Sequence, residues 1–177
     1  MNSGGKKNVA DGPSIDALIT ALNSKDGLAR QRARNALVAI GEPALDALIE
    51  AFENKDEDTH WEVAKALSRI GTGKAAKPLV EALEDKEFSI RWIAAEGLIH
   101  IGHDGLEPLL QALKDRPGSV WLREGAHHVL HDLIQRKLID DQTIAHVSPL
   151  LDALNHRDPE MQTVAASAEA FAALKNV

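Results

Sequence analysis

The chain has 177 residues, with 20 Lys and Arg against 27 Asp and Glu, a formal net charge of −7. It holds 27 Ala and 22 Leu but only three Trp, three Phe and no Tyr, which favours helices and argues against a β-sandwich or barrel. The lack of Cys excludes a disulfide scaffold, a cysteine nucleophile and a thiolate metal site.

Residues 1–12 are small and polar and read as a flexible leader before a single domain over 13–177. Met1 to Asn8 has no apolar core of a secretory signal, and no later run reaches the roughly 18 apolar residues of a membrane span. The expected protein is cytoplasmic, with no membrane partner. An acidic balance also speaks against nucleic acid, whose phosphates call for a basic face.

From Ser14 onward the chain repeats. The pair Ile-Gly recurs at Ile40-Gly41, Ile70-Gly71 and Ile101-Gly102, spaced by 30 and 31 residues. Five helix pairs are predicted, over 14–41, 43–71, 74–102, 104–136 and 143–175. The first helices read SIDALITALNS, PALDALIEAFE, AKPLVEALED, LEPLLQALKD and SPLLDALNHR. The second read ARQRARNALVAIG, THWEVAKALSRIG, IRWIAAEGLIHIG, LREGAHHVLHDLI and MQTVAASAEAFAAL. Gly41, Gly71 and Gly102 stand where a left-handed helix cap is wanted. Ser14, Ser24, Ser89 and Ser119 fall at capping positions. One such pair cannot bury its apolar face alone, but a stack can. Gly71-Thr72-Gly73-Lys74 lacks the spacing and the strand of a phosphate loop and reads as a turn.

The segment IRWIAAEGLIHIG, residues 90–102, resembles the HEAT-like repeat of the phycobilisome-lyase type, and the resemblance extends over nearly the whole chain after residue 13. It implies an all-α, right-handed α-solenoid, armadillo-like in shape, of about five antiparallel helix pairs. It says little about function, which resides in grafted sites. Repeat one departs with Arg34 for Ala and repeat two with His60 for Arg, and repeat four carries the insertion Pro117-Gly118-Ser119, His127 at an Ala position, and Ile134 in place of Gly. The fifth repeat is degenerate, as a terminal cap would be. Deoxyhypusine hydroxylase resembles this class and binds iron through His-Glu pairs after the repeat Arg. Here those positions hold Gln31-Arg32, Trp61-Glu62, Trp92-Ile93 and Glu124-Gly125, so that activity does not carry over.

Arg30, Arg91 and Arg123 share one repeat position. They could form an anion ladder, but are expected to pair with an Asp of the inter-helix loops: Asp26, Asp56, Asp85 or Asp115.

Subtracting the packing positions leaves residues at i, i+4 and i+8 of each second helix, one face of that helix. The resemblance implies that they line a concave groove. The columns are Gln31-Asn35-Ala39, Trp61-Lys65-Arg69, Trp92-Glu96-His100, Glu124-His128-Asp132 and Thr163-Ser167-Phe171. Two of the three Trp thus share a position on a face expected to see solvent, where Trp is a favoured anchor. Packing onto neighbouring helices is the alternative for both. Trp121 is expected to plug the repeat-four insertion against repeat three.

Glu96, His100, His128 and Asp132 form two i, i+4 pairs on adjacent helices, a candidate nitrogen and oxygen set for a divalent metal. A hydrogen-bonded polar cluster, with His127 in an inter-repeat slot, is the plainer expectation.

The expected function is a non-catalytic scaffold that grips a protein or peptide, as a monomer or weak homo-oligomer, without a cofactor. Trp61, Glu62, Lys65, Arg69, Trp92, Glu96, His100, Glu124, His128 and Asp132 are its candidate binding residues. An enzyme or lyase accessory using the His/carboxylate cluster is the alternative.

Overall fold

A computed structural model describes residues 12–53, 57–155 and 159–175. The leader expected over 1–12 lies outside them except for Gly12, as does Asp56. The described residues form ten α-helices: α1 (Ile15–Ala21), α2 (Gly27–Ile40), α3 (Leu45–Glu53), α4 (Glu57–Ile70), α5 (Ala76–Ala82), α6 (Phe88–Ile101), α7 (Leu106–Asp115), α8 (Val120–Gln135), α9 (Asp141–Leu154) and α10 (Pro159–Leu174). No strand occurs among them, and no helix is long and apolar enough to cross a membrane. The protein is an all-α solenoid.

Local chemistry sets the helix starts. The Ser14 hydroxyl accepts from Ala17 N at 3.2 Å and Ser119 from Leu122 N at 3.3 Å. Asp26 caps α2 by accepting from Leu28 N at 2.9 Å. Each bond satisfies an orphan amide of the first turn. Two expected caps differ. Ser24 accepts from Asp26 N within the turn, and Ser89 lies inside the first turn of α6. Gly41, Gly71 and Gly102 all have positive φ, at 72°, 65° and 71°. Gly41 and Gly102 combine it with ψ of −135° and −131°, not the left-handed helical pair expected. That conformation leads the chain straight into a short 3-10 turn toward the next first helix.

The core is a ladder of leucines. Leu22, Leu37, Leu67, Leu83, Leu98 and Leu113 are among those fully buried. Each contributes on the order of 1.5–3 kcal/mol. Small residues set the helix spacing. A Cβ on Gly97 would lie 2.8 Å from Leu79 Cδ1 of α5 and 3.0 Å from Ser68 Cα, so α6 approaches α4 backbone to backbone.

Helices α2, α4, α6 and α8 stack in one layer, and α1, α3, α5 and α7 in the other. The last pair breaks this order. α9 packs on α8, and α10 packs on α7. Leu154 and Asn155 meet Val120, Arg123, Glu124 and His127, so the end of α9 lies beside the start of α8. The fifth pair is therefore inverted: its first helix extends the second-helix layer. The change falls where the Ile-Gly is missing. α8 runs to Gln135 and closes with Leu138 N donating to Leu133 O at 2.9 Å, with Lys137 at φ 53°. This helix-closing motif reverses the chain beside α8 instead of leading it across to the other layer.

The inversion corrects the expected fifth column. Thr163 and Ser167 are fully buried, and Phe171 lies between Lys114 of α7 and Lys175. None of the three joins the face of α2, α4, α6 and α8.

Candidate binding face on the second helices

The repeat arginines are clamps on the loop backbone. Arg30 Nη1 donates to Ser24 O at 2.7 Å, Arg91 Nη1 to Asp85 O at 2.8 Å, and Arg123 Nη1 to Pro117 O at 2.5 Å. Each acceptor lies six residues before its Arg. The expected partner was an Asp side chain, but in each case the acceptor is a loop carbonyl outside the helix ladder. The loop carboxylates serve elsewhere. Asp26 caps α2, and Asp85 Oδ1 accepts from Glu87 N at 2.8 Å. In repeat two His60 replaces the Arg. It stacks on Phe52 with centroids 4.1 Å apart and puts Nε2 3.0 Å from Asp85 Oδ2.

Glu62 does not present itself to the face. It is 7% exposed and faces back to α2, where Arg34 pairs with one oxygen and Arg30 Nε lies 3.3 Å from the other. The helical step explains this: one residue past Trp61 rotates by about 100°, toward the preceding repeat.

The two register-matched tryptophans are exposed, Trp61 by 39% and Trp92 by 49%. The Arg34 guanidinium sits over the Trp61 ring at 5.4 Å. Trp92 stacks on His128 at 4.9 Å and 26°, and Phe88 tilts against it with centroids 6.3 Å apart. Trp121 lies against repeat three, on the side expected, but without being enclosed there. It is 43% exposed, with Arg91 of repeat three 4.6 Å above its ring. The short insertion brings it onto repeat three, but from the outside. Phe88, 67% exposed, completes an apolar patch that periodicity alone did not mark. Its signal in the sequence was register: Phe88 and Val120 hold the same repeat position, and Val120 is exposed too.

The polar residues divide into small sets. Arg69 Nη1 donates to Asn35 Oδ1 at 2.9 Å across α2 and α4. His128 Nε2 lies 3.4 Å from Glu96 Oε1. His100 turns away to Ser68 O, 3.2 Å from its Nδ1, beside Gly71. Asp132 pairs with Arg136 at 2.5 Å and sits 3.3 Å from His131 Nδ1. His127 lines a pocket between repeats four and five, with Leu154 and Asn155 at the end of α9. Of the four residues of the candidate metal set, only Glu96 and His128 meet, while His100 and Asp132 have partners outside the set. Among the described residues no group of three or more His, Cys, Asp or Glu could hold a metal ion.

A family of HEAT repeats matches residues 15–99, and the PBS lyase HEAT-like repeat matches residues 90–115. The chain belongs to the HEAT-like repeat proteins. No curated protein matches it. Among solved structures, an engineered protein of the Northeast Structural Genomics Consortium is similar, at 20% identity and a TM-score of 0.40, covering 90% of this chain and 78% of that one.

Proposed function

We propose that this HEAT-like scaffold binds a protein or peptide segment on the face of α2, α4, α6 and α8, without catalysis. The observation that carries the reading is the pair of exposed indoles at one repeat position, Trp61 and Trp92. Each offers a large apolar area plus one donor, and each is already held by a neighbour, so little rotamer freedom is lost on binding. Lys65, Arg69, Glu96, His100, Glu124, His128 and Asp132 surround them as polar recognition groups. Residues 13–177 act as one domain, monomeric or weakly self-associating, in the cytoplasm.

Selection of a displayed peptide library on the full chain tests this. Peptides enriched by the wild type should be lost by a Trp61→Ala/Trp92→Ala variant of unchanged helicity. Retention of the same peptides by that variant would overturn the reading.

A further inference from the structure

The charges beside the two tryptophans are unevenly placed. On the α2–α4 side, Arg30 and Arg34 share the single carboxylate of Glu62, which leaves one positive charge in excess. Arg69 adds a second cation there, bonded only to the neutral Asn35 amide among the described partners. On the α6–α8 side, Glu124 occupies the repeat position of Trp61 and Trp92 and has no ion pair among the described residues. Glu96 adds a carboxylate whose neighbour is His128. From α2 to α8, uncompensated cations, two indoles and then two carboxylates follow in order, while Arg91 and Arg123 on the last side are turned to the loop carbonyls.

We infer that the occupant is an extended, bipolar peptide segment: an acidic residue at Arg69, where that side chain reaches across to α2, two apolar anchors on Trp61 and Trp92, and a basic residue at Glu124. The inference rests on the peptide-binding reading proposed above and adds the chemistry of the partner. Packed helix axes lie about 10 Å apart. An extended chain rises about 3.3 Å per residue, so successive contacts fall about three residues apart. The pattern is acidic, apolar, apolar, basic at steps of three. Opposed charges fix the register and disfavour segments of one sign, because like charges meeting across the face repel.

Four synthetic peptides test it, all with Leu and Phe anchors three residues apart in a Ser background. One carries Asp before and Lys after, one the reverse, one Asp at both ends and one Lys at both ends. Both bipolar orders are needed because the face does not dictate chain direction. One bipolar peptide should bind best, by about fivefold over either single-sign peptide, a margin that shrinks in high salt. A Lys65→Glu/Arg69→Glu/Glu124→Lys variant should prefer the opposite bipolar order. Equal binding of all four, lost in Trp61→Ala/Trp92→Ala, would overturn the bipolar inference while leaving the binding face standing. Binding of none would overturn both. Self-association that buries the tryptophans would also overturn the inference, since the occupant would then be a second copy of the chain.

Discussion

Trp92 and His128 stack across the boundary between repeats three and four, with ring centroids 4.9 Å apart and planes inclined by 26°. The imidazole is itself placed by Glu96, 3.4 Å from its Nε2. A surface indole held this way is ordered before any partner arrives, and preorganisation lowers the entropic cost of binding.

Removing either tryptophan should therefore affect binding more than folding. Trp61→Ala and Trp92→Ala should each cost no more than ~1 kcal/mol in urea unfolding, as exposed substitutions do. Losses of about 3–5 kcal/mol, the scale of a core Trp, would make them packing residues.

Glu62 should behave in the opposite way. Its carboxylate is the anion shared by Arg30 and Arg34, and its loss strands a half-buried guanidinium. Glu62→Ala should destabilise by about 3 kcal/mol, measured by the same unfolding experiment. A double variant, Arg34→Met/Glu62→Met, should recover much of that loss, because no uncompensated charge remains.

The inverted last pair puts Lys114 and Lys175 on either side of Phe171, at 5.1 and 4.5 Å from its ring. A short amine-reactive cross-linker should join these two lysines in the native protein. A regular fifth repeat, with α10 beside α8, would not yield that link.

Asp140 starts α9. The Thr143 amide, and next the Thr143 hydroxyl, hold its carboxyl below the usual 3.8. A group whose folded value is depressed stabilises fully above its unfolded value and loses that contribution as pH falls through the folded one. The stability difference between wild type and Asp140→Asn should thus stay flat near neutrality and shrink below about pH 3.8. A difference that persists to lower pH would mean that the carboxylate charge contributes nothing there.

Much of this fold was legible in the sequence because its determinants are local. Ile-Gly spacing, leucine periodicity and the serine caps each act within a turn or two. The inversion of α9 and α10 was not legible, since it depends on how α8 ends around Lys137 and on which layer accepts α10. The face was legible in part. The shared register of Trp61 and Trp92 was apparent, but the burial of Glu62 depends on two arginines 32 and 28 residues away. Trp121 meets repeat three as expected, but its exposure was not legible, because it depends on the contact with Arg91 of that repeat.

The three tryptophans provide the most direct test of the binding face, because an indole N–H spectrum holds only three side-chain signals. Each can be assigned by single substitution and followed as a library-selected peptide is added. The signals of Trp61 and Trp92 should both shift, with a common dissociation constant. A peptide that binds while both signals stay fixed would contradict the account.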